Sequence, residues 1–379
     1  MRWGRGVRVI GDRAEHALPP SRANAVDGKI VSVQLLRALA ASIVAVLHLA
    51  FAFADHIGPG LGLERRSGPA GQLAVLLFFI VSGYVMVVAS RRHFGQPGAR
   101  RTFWLRRIFR IMPPYWLASL LLALIFLTIK PQPVPLVPFL KSLVLLPFWP
   151  DDGGLRPMPF LWVGWTLFYE MVFYLLFGLF IALGRRKGVA ATGAMLVALV
   201  IAGLAVPPVN AFLFAVTRPV LLMFLVGMGL ALWRESGGWA PGWIRVLALL
   251  AIIPAVWLID RPADAEAMGF DYLAWCGLPA LLLGFAVLGG PLRLSAARLV
   301  VAAGDMSYAL YLLHLPIAVF WMWFYNRLPF FAPGAWDYLV TVLIVTFVAS
   351  WLFYAKVERP MTAALNRLAR SPHEGQSSA

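Results

Sequence analysis

Between residues 33 and 355 the sequence is a succession of apolar runs, and no stretch between them is long enough to separate two water-soluble cores. A helix rises about 1.5 Å per residue, so roughly 20 apolar residues cover the hydrocarbon core of a bilayer. On that ruler, spans are expected near 33–53, 71–90, 111–129, 161–183, 189–206, 216–233, 244–259, 270–290, 305–325 and 337–355, shortest at 244–259. Composition agrees, since 61% of the 379 residues are hydrophobic and only 13% are charged, where a soluble domain carries about 25% charged residues. The sequence therefore predicts an all-α fold, a polytopic membrane helix bundle of about ten transmembrane helices. One membrane domain, 31–357, is expected between a basic tail at 1–30 and a carboxyl-terminal tail at 358–379.

The net charge of +16 is large, but Lys and Arg stand in short clusters between apolar runs and not along one face. That pattern argues against nucleic acid and for a topology signal. If the amino end is inside, the tail, 91–110, 184–188, 234–245, 291–303 and the carboxyl end hold 24 Lys and Arg. The opposite segments hold eight, and Arg37 lies within the first span. Positive charge near helix ends is retained on the cytoplasmic side, which places both termini in the cytoplasm and the chain in the cell (inner) membrane. The first 30 residues carry six Lys or Arg and no apolar core with a cleavage site, so they read as a tail and not as a signal peptide. Segment 130–160, expected outside, has eight prolines and the stretch VPFLKSLVLLP, too short to span and suited to the interface. The single cysteine, Cys276, rules out an intramolecular disulfide framework. No repeat of fixed period is visible, which weakens the inverted-repeat architecture common in transporters.

Ionisable groups in hydrocarbon cost on the order of 3 kcal/mol or more, so each is a site candidate. Arg37 and His48 are eleven residues apart on the first span, which puts them on one face about 16 Å apart along the axis. A histidine on an apolar face is commonly just packed against a backbone carbonyl. Histidine is also the natural proton acceptor near neutral pH. Glu170, in WTLFYEMVFYLL, is expected at a similar depth and as the partner that orients His48. In FWLRRIFRIMPPYW, Arg106, Arg107 and Arg110 precede the third span, and Arg107 and Arg110 share a face. Basic residues at an inner helix end are ordinary topology determinants, yet a forked guanidinium pair also suits a phosphorylated ligand from the cytoplasm. In GDMSYALYLLHLP, Ser307 and His314 lie seven apart on one face, while Tyr308 and Tyr311 read as packing aromatics.

These segments together resemble the acyltransferase-3 family of membrane O-acyltransferases, which acylate cell-envelope polysaccharides, lipopolysaccharide and some secondary metabolites. The resemblance runs in order through QLLRALAASIVAVLHL, FFIVSGYVM, RRIFRIMPPYW, WTLFYEMVFYLL, FLVGMGLAL, GDMSYALYLLH and YAKVERP. It implies that His48 is the catalytic base, with Arg37 on the same span, and that Arg107 and Arg110 hold an acyl-CoA donor, usually acetyl-CoA. It also marks Ser82 and Gly83 as the family's serine-glycine turn, Glu170 as its acidic residue, and Ser307, Tyr308 and His314 as its late motif. The family's terminal acid falls on Glu358, for which pairing with Arg359 or other inner-face arginines is expected. The chain lacks the length of members that carry an appended SGNH hydrolase domain.

The expected reaction is transfer of an acyl group, most simply acetyl, from a cytoplasmic coenzyme A thioester to a hydroxyl of a glycan or glycolipid acceptor. A base must take the hydroxyl proton during attack, typically a gain of about 10²–10⁴. Arg37 or Ser82 is the expected oxyanion donor, and no metal is expected because no metal-ligand spacing such as HExxH appears. The competing reading is a transporter or flippase using the same Arg, His and Glu as a proton relay. Beyond lipid and acceptor, the sequence defines no partner and no oligomeric state.

Overall fold

The computed structural model describes residues 25–368 except 27–28, 57–61, 63–68, 130–132, 151–155, 207, 293 and 328–333. Most of the expected amino-terminal tail and the last half of the carboxyl-terminal tail, 369–379, lie outside the described residues. In hydrocarbon every backbone N–H and C=O must be satisfied within its own segment, so apolar runs of this length become helices. Twelve helices follow a two-residue antiparallel pairing of Ala25–Val26 with Lys29–Ile30. They are α1 (Val31–His56), α2 (Ala70–Ala89), α3 (Ala99–Thr128), α4 (Leu136–Leu143), α5 (Trp165–Phe180) and α6 (Arg185–Ala205). The second half holds α7 (Ala211–Val216), α8 (Leu222–Glu235), α9 (Gly242–Leu258), α10 (Phe270–Leu288), α11 (Ala297–Tyr325) and α12 (Ala335–Leu368). Eight of them are long and apolar enough to cross a membrane. The protein is an all-α, multi-pass membrane bundle.

Eight of the ten expected spans match these long helices. The other two, 216–233 and 244–259, fall on shorter elements. The first is broken at Arg218–Pro219, where a 3₁₀ turn, Pro219–Leu221, precedes α8. The second is α9, of 17 residues with Pro254 inside it. The 30 residues of α3 begin twelve residues before the expected span. At 1.5 Å per residue this helix is about 45 Å long, so its arginine-bearing first turns extend past an apolar slab of roughly 30 Å. In the proline-rich segment, α4 turns Leu136, Val137 and Leu140 outward, and Ser142 inward to the Tyr115 hydroxyl at 2.7 Å. The boundary expected at 357/358 falls inside α12, whose π turn Tyr354–Glu358 continues into Arg359–Leu368.

Contacts fix the helix directions. Helices α1 and α11 run the same way, joined by Gln34 to Asp305 near one end and by His48 to His314 toward the other. Helix α5 runs against α3, with Tyr115 packed on Gly164 and Trp104 on Gly178. Helices α2 and α8 run together, Phe79 stacking on Phe224 and Tyr84 meeting Arg234. Their backbones touch at two glycines, since a Cβ on Gly83 would collide with the Phe224 carbonyl oxygen and one on Gly227 with that of Ile80. Close approach at small residues is how helices associate where lipid offers no hydrophobic drive. At the end of the bundle holding Arg37, Arg107, Arg110 and Glu358, Arg185 and Glu235 pair, joining the start of α6 to the close of α8. That end is called the basic end below, and the other the histidine end.

Helix α8 contains its own control for this packing. Gly227→Ala should destabilise the detergent-solubilised protein by about 1–3 kcal/mol, because the methyl meets fixed backbone. Gly229→Ala, where the added Cβ meets nothing within 4 Å, should be neutral or stabilising by up to about 1 kcal/mol. Thermal unfolding of both variants checks the difference.

Candidate active site

Two polar levels occupy the interior, one near each end. At the histidine end, the His48 Nδ1 and His314 Nε2 atoms lie 2.9 Å apart, with ring centres 5.2 Å apart and ring planes within 21°. His314 is fully buried, and its Nδ1 lies 3.1 Å from the Leu310 carbonyl oxygen. Trp162, in the 3₁₀ turn ahead of α5, lies with its ring centre 5.0 Å from that of His48, tilted by 38°. The Tyr311 hydroxyl donates to the Val163 carbonyl at 2.7 Å, which fastens α11 to that turn.

His48 lines an open cavity of about 490 Å³ with Gln72, Arg156, Trp162, Trp165 and Tyr311. The Gln72 side-chain oxygen accepts from Tyr272 at 2.6 Å, which leaves its NH₂ as the donor end. Arg156 bonds Glu266 at 3.0 Å and lies over the Trp165 ring. Aromatic walls with a few oriented polar groups are the general makeup of a small-molecule site.

At the basic end, the Gln34 side chain donates to Asp305 at 3.1 Å and accepts from Arg37 at 3.5 Å. Glu358 is buried, and the cations acting on it most strongly are Arg110 and Arg37, not Arg359. The Arg107 guanidinium lies 5.6 Å from the ring centres of both Phe103 and Tyr174. Arg106 reaches His93 at 3.2 Å, which sets it apart from the Arg107–Arg110 pair.

The pairing expected between Glu170 and His48 is not formed. Ser82 Oγ donates to Glu170 Oε1 at 2.6 Å, the Tyr174 hydroxyl bonds the same oxygen, and Ser82 and Tyr174 lie 3.1 Å apart. The reason is depth. Residue 162 already sits at the level of His48, and Glu170 follows eight residues later, about 12 Å further toward the basic end. Ser82 is equally remote, because Gly71 of α2 faces Leu47 and Ser82 lies eleven residues beyond it. Ser82 therefore stands with Glu170, toward the arginine level that holds Arg37, and neither Ser82 nor Arg37 is beside His48, the place the expected oxyanion role requires.

In the late motif, Ser307 donates to the Gly304 carbonyl within its own helix at 2.7 Å. Tyr308 donates to the Ile111 carbonyl at 2.8 Å, which ties α11 to α3 one residue beyond Arg110. Sequence reasoning missed Tyr174, Asp305, Trp162, Gln72 and Arg156. Tyr174 was accessible, being one helical turn after Glu170, and Asp305 stands inside a quoted motif. Nothing local in the sequence marks the other three.

The family model of the acyltransferase domain matches residues 30–355. The chain belongs to the acyltransferase-3 family. It is 32% identical over 274 residues to the exopolysaccharide production protein ExoZ of Rhizobium meliloti, covering 68% of this chain and 79% of ExoZ. It is 27% identical over 342 residues to the acyltransferase MdmB of Streptomyces mycarofaciens, covering 78% of this chain and 82% of MdmB. No solved structure matches it significantly. This member of the acyltransferase-3 family is a membrane O-acyltransferase, an enzyme.

Double-mutant cycles test the rearranged pairing. Ser82→Ala and Glu170→Gln should couple by about 0.5–3 kcal/mol in unfolding free energy, whereas His48→Gln and Glu170→Gln should add to within about 0.5 kcal/mol. Coupling of the second pair and not the first would restore the His48–Glu170 contact.

Proposed function

We propose that this acyltransferase moves an acetyl or similar short acyl group from a cytoplasmic acyl-CoA to a hydroxyl of a cell-surface polysaccharide or related glycan. The observation that carries the reading is the separation of the two polar levels within one bundle. Arg107, Arg110 and Arg37 gather at the basic end, and His48 lines a cavity about 16 Å away along α1. The extended pantetheine arm of coenzyme A bridges such a span, with its phosphates at one level and its thioester at the other. The chemistry of the basic end fits a polyanion: Arg107 Nε is buried with no partner among the described residues, and guanidinium forks bind phosphate oxygens in pairs.

The 24-to-8 distribution of basic residues supports a cytoplasmic basic end with both termini on that side. The acceptor then reaches His48 through the cavity at the histidine end, where Trp162 offers an apolar face for a sugar ring. The exopolysaccharide in the name of the ExoZ relative supports a glycan acceptor. In the reaction, the acceptor hydroxyl gives its proton to His48 while its oxygen attacks the thioester carbonyl. The carbon–sulfur bond breaks, and the proton passes from His48 to the departing thiolate.

Two variants separate binding from chemistry. His48→Ala should abolish acyl transfer by the purified protein while retaining acetyl-CoA binding. Arg107→Lys with Arg110→Lys should weaken acetyl-CoA binding about tenfold or more, the scale of one lost charge-assisted hydrogen bond, with expression intact. Parental transfer by His48→Ala would overturn the assignment of the base, and unchanged affinity in the double variant would return the arginines to topology alone.

A further inference from the structure

The hydrogen bonds of the two histidines fix which nitrogen of His48 does the chemistry. A carbonyl oxygen can only accept, so the His314 Nδ1 that faces the Leu310 carbonyl at 3.1 Å carries a proton. His314 is fully buried, where burial favours the neutral ring. A neutral ring protonated at Nδ1 has a bare lone pair at Nε2. That lone pair faces His48 Nδ1 at 2.9 Å, so His48 Nδ1 is the donor. His48 in turn must hold its own lone pair at Nε2, the position from which a base can act. The assignment follows from one backbone carbonyl in the turn preceding His314 together with the neutrality of the two rings.

We propose that His314 is the positioning residue of this enzyme, holding His48 in the tautomer whose Nε2 is the base and accepting the hydrogen bond that steadies the imidazolium formed during transfer. The proposal rests on the reading of His48 as base and names the group that takes the place expected for Glu170. In hydrolases with a Ser-His-Asp arrangement a carboxylate fills this role at Nδ1. Here the acceptor is a neutral imidazole anchored by the backbone, so no buried carboxylate has to be kept charged beside the acyl group.

The step balances. His48 Nε2 gains the hydroxyl proton as the oxygen–acyl bond forms, and loses it to the thiolate as the carbon–sulfur bond breaks. The Nδ1 proton stays in its bond to His314 throughout. The nearly coplanar hydrogen-bonded His314 ring and the adjacent Trp162 ring hold the imidazole plane while its charge changes.

The test compares side chains at position 314 that can and cannot reproduce this acceptor, using acetyl-CoA as donor and host envelope polysaccharide as acceptor. His314→Leu should lower kcat by roughly 10²–10⁴, the range between loss of general-base assistance and loss of tautomer control, with the KM for acetyl-CoA within about threefold of parental. His314→Gln can donate its NH₂ to the Leu310 carbonyl and offer its oxygen to His48 Nδ1. It should recover at least about tenfold over His314→Leu. His314→Asn is too short to make both bonds and should behave like His314→Leu, which preserves the comparison if the leucine variant fails to fold. Parental kcat in His314→Leu or His314→Asn would overturn the proposal. So would equal impairment of His314→Gln and His314→Asn with acetyl-CoA affinity intact. His48→Ala, run beside them, tells failure of the base assignment from failure of the positioning role.

Discussion

In hydrocarbon, a polar side chain without a partner costs several kcal/mol, and an unpaired charge costs more. That penalty organises this protein. At several places where the sequence puts a polar group in an apolar helix, the bundle brings another helix alongside to meet it: Asp305 for Gln34, Ser82 for Glu170, His314 for His48, Ile111 for Tyr308, with Tyr174 joining Glu170 from its own helix. All but the Tyr174–Glu170 bond, which lies within α5, cross between helices distant in sequence. The polar groups thus act as registration marks for the bundle as well as candidates for chemistry, and α11 carries three of them along one helix.

The division into two levels follows from the same constraint. A single cluster holding Arg37, Arg107, Arg110, Glu170 and His48 would concentrate charge at one depth around the reacting carbonyl. The structure instead keeps Arg37, Arg107 and Arg110 with Glu358 and Asp305 at the basic end, and leaves His48 beside His314, aromatic groups and one arginine, Arg156, that is paired with Glu266. A low-dielectric site strengthens the few hydrogen bonds it contains. The Ser82–Glu170–Tyr174 group, with Arg107 over the Tyr174 ring, lies between the two levels.

The fold class was legible because bilayer thickness converts directly into run length, and the bundle's weakest spans were short in sequence too. Helix α3 was read as starting late because its first turns are basic, and hydropathy cannot separate a helix leaving the membrane from a loop. The one-face relation of Arg37 and His48 was legible from helical period alone. The partner of His48 was not. Depth in the membrane was judged by counting from a span's edge, and residues 162–164 break that count by forming a 3₁₀ turn at the level of His48 before α5 begins. No periodicity in WVG announces such a turn. His314 was singled out in sequence, but its contact with His48 needs α1 and α11 side by side, a juxtaposition across 266 positions that no local pattern encodes.

The central claim is that one donor molecule connects the two levels, its phosphates at the arginines and its acyl carbon at the histidine. The most direct measurement is a cryo-electron microscopy structure of the enzyme with a non-transferable thioether analogue of acetyl-CoA. The account predicts phosphate oxygens within hydrogen-bond distance of Arg107 and Arg110, and the carbonyl analogue about 3–4 Å from His48 Nε2, a near-attack separation. An analogue with its carbonyl beside Ser82 and Glu170, or with its phosphates against Arg156 at the opposite end, would contradict it.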